Sequence, residues 1–141
     1  MSGFWRNWLN VWCVLVIVFG LVLAGGGLEV TSGGADMLFG MLGGPGDIMW
    51  TPHLRFSVAL MGAVTMGWGL TFVAVFAAAH RLGNQAAMVW RLVSASVLAW
   101  FVIDSALSVA TGFALNAVPN AALLVGYLVP VIANGVLKPA R

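Results

Sequence analysis

The sequence predicts an all-α membrane protein, a four-transmembrane-helix bundle with both termini on one side and a glycine-rich loop between the first two helices. Of its 141 residues, 62% are hydrophobic and only 7% are charged, and the mean hydropathy is +1.03. Soluble domains carry about 25% charged residues, so this chain has too few polar side chains to cover a globule in water. Its four apolar stretches each approach the ~20 residues needed to cross a bilayer.

Composition and charge exclude several classes of function. The formal net charge of +2 comes from six basic and four acidic residues spread along the chain, so no basic cluster is available to bind nucleic acid. The single cysteine, Cys13, lies inside the first apolar stretch, where we expect a buried and unreactive thiol. Histidines and cysteines do not cluster with the spacing of metal ligands. The sequence identifies no metal site and no cofactor, and the length fits one domain over residues 1–141.

The first span is predicted at about residues 8–28, and it begins among tryptophans. Indole rings beside Arg6, at the mouth of an apolar stretch, are typical of the headgroup level of a bilayer. Gly20 and Ala24 lie one helical turn apart and allow another helix to approach closely. The tryptophans placed at membrane interfaces by this reasoning are Trp5, Trp8, Trp12, Trp50 and Trp90.

Residues 29–53 form a glycine-rich outer loop in this interpretation. The segment Gly44–Asp47, with the sequence GPGD, is a strong turn signal. Before it, residues 36–42 are expected to form one or two helical turns on the membrane surface, with Asp36 as the N-cap. No Gly-Lys-Ser/Thr follows the glycines and no strand precedes them, which excludes a phosphate-binding loop.

Three further spans are predicted at about residues 54–79, 89–113 and 119–137. Pro52 suits the first turn of the second span. Backbone N–H groups in the first turn of a helix have no partner within the helix, so the missing N–H of proline costs nothing there. Along the same span, small residues recur every four positions and form a smooth face for helix packing. These residues are Ala59, Ala63 and Gly67.

The basic residues indicate the orientation of the bundle. Five of the six fall at the N-terminus, at the second loop or at the C-terminus, whereas the first and third loops together carry only Arg55. Basic residues are enriched in cytoplasmic loops, so both termini are predicted to be cytoplasmic and the glycine-rich loop to lie outside. The five residues are Arg6, Arg81, Arg91, Lys138 and Arg141.

Asp104 is the acidic residue inside a predicted span, where a carboxylate normally faces protein or water and has a partner. Ser108 lies one helical turn closer to the outside on the same face. Counted from the expected ends of the spans, Tyr127 in the fourth span reaches a similar depth. Four more polar residues are expected at the outer mouth of spans two to four, where the group defines a polar pocket. They are His53, Arg55, Asn116 and Asn120.

Two interpretations of this group stay open at the level of sequence. In the first, it is a functional pocket, either a hydrogen-bonding site for a lipophilic ligand with a polar head or a carboxylate that handles protons. In the second, Asp104 pairs with Tyr127 or Arg55 and holds the helices together, as interhelical polar contacts worth less than about 2 kcal/mol commonly do. Trp68 and Trp100, deep inside their spans, either pack in the core or line the pocket.

The last three spans carry a set of motifs: Arg55–Leu70, Trp100–Asp104, Ser108, Gly112, Asn116 and Asn120. On these motifs, about residues 54–137 resemble small four-helix bacterial inner-membrane proteins that have no assigned activity and are distantly DoxX-like. The resemblance implies the four-helix fold and a location in the bacterial inner (plasma) membrane, and it assigns no catalytic residue. The long glycine-rich loop has no counterpart in that group.

Three functions are weighed on these grounds. A non-enzymatic accessory or assembly subunit of a larger membrane complex agrees best with the small size and the lack of a complete catalytic set. The alternative is a binding or transport protein for a lipid, quinone or pigment, which uses the outward-facing pocket. A membrane enzyme has the least support, because Asp104 has no acid–base partner in the chain. The predicted partners are membrane lipids and either further copies of the chain or other membrane protein subunits.

Overall fold

The computed structural model describes residues 1–44 and 46–138, whose regular structure is helical throughout. Five α-helices follow one another: α1 (Gly3–Gly25), α2 (Gly33–Leu42), α3 (Pro52–Leu82), α4 (Ala87–Ala110) and α5 (Ala117–Ala133). Single turns of 3₁₀ helix lie at Glu29–Thr31, Gly83–Ala86 and Ala114–Asn116. Two features used in the sequence analysis, Pro45 in the predicted turn and Arg141 in the orientation, lie outside the described residues.

Within the described residues, three helical stretches are long and apolar enough to cross a membrane: Gly3–Gly25, Pro52–Ala110 and Ala114–Ala133. Large apolar side chains cover their outward faces, and Val64 and Ile132, for example, are 64% and 66% exposed. Such exposure would be unfavourable in water and is expected where lipid surrounds the helices. The predicted class, an all-helical membrane protein, is therefore confirmed.

The second of these stretches has 59 residues and reverses its direction in the middle. It contains α3 and α4, which are joined by the 3₁₀ turn at Gly83–Ala86. The Phe76 ring stacks on Trp90 with 5.4 Å between centroids, and Trp68 lies 5.5 Å from Trp100 further along the pair. The two helices are thus antiparallel. Gly83 permits the reversal because its φ of +54° belongs to the left-handed region, which favours glycine.

The four long helices form two pairs that meet at one end. α1 packs along α3 over most of its length, and α4 packs on α5. Between the pairs lies an aromatic core in which the Tyr127 ring is 5.9 Å from Trp12 and 6.1 Å from Phe76. Away from this core α3 and α4 make few contacts, so the pairs diverge. We call the end where they meet the basic end, because it carries Arg6, Arg81 and Arg91.

Two of the tryptophans predicted near a membrane interface belong to this core. Trp12 is 4% exposed and Trp90 is 2% exposed. The prediction concerned depth in the membrane, and position along a span does not indicate whether neighbouring helices cover the side chain. At the basic end all four long helices converge and enclose both rings. Cys13 is also buried there, as predicted.

The face of α3 that packs on α1 is not the predicted one. Ala63 and Gly67 are exposed, and no atom of another helix lies within 4 Å of the position where a Cβ would stand on Gly67. The contact is made instead by Gly62, whose Cβ would come within 2.1 Å of the Ala24 backbone nitrogen. Adjacent residues on a helix point about 100° apart, so the choice between positions 62 and 63 rotates the whole packing face. Ala59 of the predicted stripe lies against Gly27, just beyond the end of α1.

The glycine-rich loop contains a longer helix than expected. α2 begins at Gly33 rather than at residue 36, so Asp36 lies in its first turn and Ser32 occupies the N-cap position. The Asp36 carboxylate accepts hydrogen bonds from the Ser32 hydroxyl, at 3.3 Å, and from the Trp50 indole. α2 lies at the end of the bundle opposite the basic end, where Phe39 contacts Phe113 with 6.4 Å between ring centroids.

Candidate functional site

A cleft of about 1330 Å³ separates the two helix pairs where they diverge. α1 and α3 line one side of the cleft, and α4 and α5 line the other. Along α1 its wall runs from Trp8 to Leu23, a distance of about 22 Å at the helical rise. Leu38, Phe39 and Leu42 of α2 face it at the far end. Most of the wall is apolar, and the cleft spans much of the ~30 Å thickness of a hydrocarbon core.

Two indole groups close the cleft at the basic end. The Nε1–H of Trp12 donates to the Leu123 carbonyl at 2.9 Å, and that of Trp8 donates to the Gly126 carbonyl at 2.8 Å. The Gly126 carbonyl lacks its usual helical donor, because Pro130, four residues later, has no N–H. Trp8 thus supplies a donor to a backbone acceptor that has lost its helical partner, and it ties α1 to α5.

A polar cluster lies on the α4–α5 side of the cleft. The Asp104 Oδ2 atom accepts hydrogen bonds from Nδ2 of Asn116, at 3.1 Å, and from Nδ2 of Asn120. Each amide makes a second bond, from Asn116 to the Ser108 hydroxyl at 2.9 Å and from Asn120 to the Ser105 hydroxyl at 3.2 Å. Asn120 and Ser108 are buried, at 5% and 8% exposure. Asp104 therefore has two amide partners inside an apolar bundle.

The turn between α4 and α5 places these groups together. α4 ends at Ala110 because Gly112, with φ at +87°, adopts the left-handed conformation that ends a helix. The Phe113 N–H then bonds to the Ser108 carbonyl at 2.8 Å, and the Gly112 N–H bonds to the Val109 carbonyl at 3.2 Å. This pair of bonds is a Schellman motif, which reverses the chain in few residues.

After the reversal, the spacing of the two asparagines directs them to α4. Asn116 ends the 3₁₀ turn and Asn120 lies in the first turn of α5, four residues later. Residues four apart share one face of a helix, so both amides reach the same carboxylate. The structure brings together four residues of the predicted group, Asp104, Ser108, Asn116 and Asn120, and adds Ser105. Ser105 adjoins Asp104 in the sequence, but nothing in its spacing distinguished it from an ordinary helix residue.

Tyr127 does not belong to this cluster. Its hydroxyl bonds to the Ser94 hydroxyl at 3.0 Å in the aromatic core. The predicted depth was wrong because α4 ends at Ala110 rather than near residue 113, and α5 begins at Ala117 rather than at 119. From these ends Asp104 is six residues deep and Tyr127 is ten, so the two differ by about 6 Å along the helices.

Arg55 and His53 also lie elsewhere. The Arg55 guanidinium donates to the Gly26 carbonyl at 3.3 Å and lies over the Trp50 ring, 4.9 Å from its centroid. His53 is exposed in the first turn of α3. Neither Arg55 nor His53 lines the cleft, and both belong to its α1–α3 side, whereas Asp104 lies on the α4–α5 side. The predicted pairing of Asp104 with Arg55 or Tyr127 is therefore not present, since Arg55 bonds to Gly26 and Tyr127 to Ser94.

Trp68 and Trp100 line the cleft and also contact each other. Trp100 lies one helical turn before Asp104 on α4, so an aromatic surface adjoins the carboxylate on the same face. Both alternatives for these tryptophans, packing and pocket lining, therefore apply at once.

The arrangement is suited to binding. Among the described residues that line the cleft, Asp104 is the one ionisable side chain, and its partners are amides and hydroxyls that do not transfer protons at neutral pH. No three His, Cys, Asp or Glu side chains come together in residues 1–44 and 46–138. No protein-family model, curated protein or solved structure matches the chain.

Proposed function

We propose that this chain is a four-span protein of the bacterial inner membrane that binds a lipophilic small molecule in the cleft between its helix pairs. One observation carries the proposal, namely an apolar cleft about 22 Å long with a cluster of hydrogen-bonded polar groups, two of them buried, on its wall. Ligand pockets are typically apolar surfaces with a few convergent polar groups that orient the ligand.

The length of the apolar stretches supports four spans. A straight helix of 59 residues would extend about 88 Å, far more than the ~30 Å of a hydrocarbon core. Because the chain reverses at Gly83, we assign one crossing each to α3 and α4, and one each to α1 and α5. The basic residues at one end favour cytoplasmic termini, while Glu29, Asp36 and Asp47 fall in the opposite loop. In this orientation the Asp104 cluster lies towards the outer surface.

A second candidate is the accessory-subunit function. The cleft volume exceeds the 300–1,000 Å³ of most small-molecule pockets, and the cleft is only partly enclosed. A helix of a partner subunit would fit between diverging helix pairs of this kind. In that case the Asp104 cluster would bond to a polar group of the partner, and the protein would act by assembly rather than by holding a small molecule.

The test is the composition of the protein as isolated from its native membrane in a mild detergent. The eluate is analysed for co-purifying proteins and, after organic extraction, for lipophilic molecules by mass spectrometry. The informative variant is Ala122→Phe, which adds a ring to a small residue on the cleft wall. The matched control is Ala106→Phe, at an exposed position of α4 outside the cleft.

The ligand-binding function predicts one molecule enriched over the bulk lipids, present in the Ala106→Phe variant and lost from Ala122→Phe. A stoichiometric protein partner that is lost only from Ala122→Phe would instead establish the accessory function. Equal composition of all three samples, with no enriched molecule or protein, would contradict both.

A further inference from the structure

We infer that the molecule held in the cleft is a lipophile whose head group donates hydrogen bonds, that is, a hydroxyl or an ammonium. The inference rests on the proposed function, because it specifies the chemistry of the ligand for that same cleft. It follows from the numbers of hydrogen-bond donors and acceptors around Asp104.

All the amide donors of the cluster are already used. A side-chain amide has two N–H donors, and those of Asn116 bond to Asp104 and Ser108. Those of Asn120 bond to Asp104 and Ser105. Both amides present their nitrogen to Asp104 Oδ2, where the N–H donates and the carboxyl oxygen accepts. The cluster therefore has no amide donor left for a ligand.

Three acceptors of the cluster are unused. Both amide bonds to Asp104 end on Oδ2, and no described residue donates to its Oδ1 atom. The Oδ1 atoms of Asn116 and Asn120 likewise accept from no described residue. All three residues line the cleft. The remaining donors of the cluster are the two rotatable serine hydroxyls, so the cluster has an excess of acceptors, one of them on a carboxylate.

The charges around the cleft also favour a head group that donates hydrogen bonds. No Lys, Arg or His is among the described residues that line the cleft, and Arg55 bonds to a backbone carbonyl outside it. An anionic head, such as a carboxylate or a phosphate, would face Asp104 with no cation to compensate. An acceptor-only head, such as a quinone or an ester, would find only the two serine hydroxyls as donors in the cluster and would leave its three unused acceptors unpaired in an apolar setting. A hydroxyl or ammonium would pair with them.

The aromatic rings add a preference for a cation. Trp100 lies one turn from Asp104, and Trp68 lies 5.5 Å from Trp100 between ring centroids. A cation near an indole face is attracted by the ring quadrupole. An ammonium held by Asp104 would therefore also contact this indole surface, whereas a hydroxyl would gain the hydrogen bond alone.

The test uses quenching of tryptophan fluorescence, because several tryptophans line the cleft. The full chain in micelles is titrated with four compounds that have the same twelve-carbon chain and a terminal bromine atom, which quenches the fluorescence. The compounds differ only in the head group, which is a primary amine, an alcohol, a methyl ether or a carboxylate. Quenching of the cleft-filled Ala122→Phe variant, titrated in parallel, is subtracted as the contribution of compound dissolved in the micelle.

The inference predicts that the amine and the alcohol reach half-quenching at concentrations about tenfold or more below those of the ether and the carboxylate. In Asp104→Asn the amine should lose about tenfold and the ether should not change, whereas Asp47→Asn, the same substitution in an exposed loop, should change neither. Equal quenching by all four compounds, or preference for the ether or the carboxylate, would refute the donor preference while leaving the cleft as a lipophile site. Absence of cleft-dependent quenching by any compound would refute the proposed function as well. The head-group series on the unmodified chain decides the question even where Asp104→Asn fails to fold.

Discussion

Replacement of Gly62 by alanine is expected to destabilise the α1–α3 pair, whereas the same replacement at Gly67 is not. A Cβ at position 62 would stand 2.1 Å from the Ala24 backbone nitrogen and 2.6 Å from the Gly20 carbonyl oxygen. Both neighbours are backbone atoms of a regular helix, so neither can rotate away. At position 67 no atom of another helix lies within 4 Å of the added carbon.

The magnitude follows from the required displacement. Ordinary contact of a Cβ begins at 3.4 Å, so the helices must separate locally by 3.4 − 2.1 = 1.3 Å at position 62. Overpacking of this kind costs about 1–3 kcal/mol, and the rigid backbone on both sides places this case at the upper end. Alanine returns about 1 kcal/mol of helix propensity relative to glycine. We therefore expect a net loss of about 2 kcal/mol for Gly62→Ala, and a change between zero and a gain of about 1 kcal/mol for Gly67→Ala.

The assay is the free energy of unfolding, measured by titration with dodecyl sulfate in mixed micelles and followed by circular dichroism. Gly67→Ala is the matched control, since both substitutions change the same residue type on the same helix. Equal effects of the two substitutions would refute the assignment of the packing face. A larger loss at position 67 would restore the face predicted from the sequence, with Ala63 and Gly67 at its centre.

Three further substitutions test the contacts that shape the cleft. Trp8→Phe removes the indole donor from the Gly126 carbonyl and should lower the free energy of unfolding by about 1 kcal/mol in the same titration. Interhelical hydrogen bonds in membranes average ~0.6 kcal/mol, and the unpaired carbonyl adds to the loss. No change in the free energy would show that α5 does not need this bond. Gly112→Ala forces an alanine to φ +87° and should lower the free energy of unfolding by about 1–2 kcal/mol. Amide hydrogen exchange should become faster only in the α4–α5 turn. Exchange that rises equally along the whole chain would contradict a local role of Gly112. Tyr127→Phe removes the bond to Ser94 and should lower the free energy of unfolding by less than about 2 kcal/mol. It should not change the quenching by the brominated amine, and a loss of that quenching would place Tyr127 in the ligand site.

Local sequence patterns were sufficient for the class of the protein and for most of its helices. Mean hydropathy and the length of apolar stretches depend on composition alone, and the same residues lie in long helices in the structure. The ends of the helices were less predictable, because α4 ends at a glycine whose conformation depends on the following turn. A displacement of three residues at that end was enough to assign Tyr127 to the wrong partner.

Asp104 was identifiable from the sequence because a carboxylate in an apolar stretch needs a partner wherever it lies. The hydrogen-bond partners of Asp104 depend on the tertiary structure. Arg55 offered the opposite charge, but it lies across the cleft and bonds to the backbone of the α1 end. Asn116 and Asn120 lie at the start of the next helix, which a tight turn returns to the same level. Proximity after the turn, rather than charge, decided the pairing.

Composition and the pattern of apolar residues predict a helical membrane protein, with a glycine-rich loop after the first helix and one acidic side chain in an apolar stretch. Which small residues pack, and the divergence of the helices as two pairs around a cleft, depend on contacts that are visible only in the folded protein. The physical reason is that hydrophobicity indicates which segments lie in lipid and which lie in water. It does not indicate which apolar face of a helix meets its neighbour, because in lipid the arrangement is set by close packing of particular atoms. Such contacts, as between Gly62 and Gly20, join residues far apart in the chain, and no local pattern encodes them.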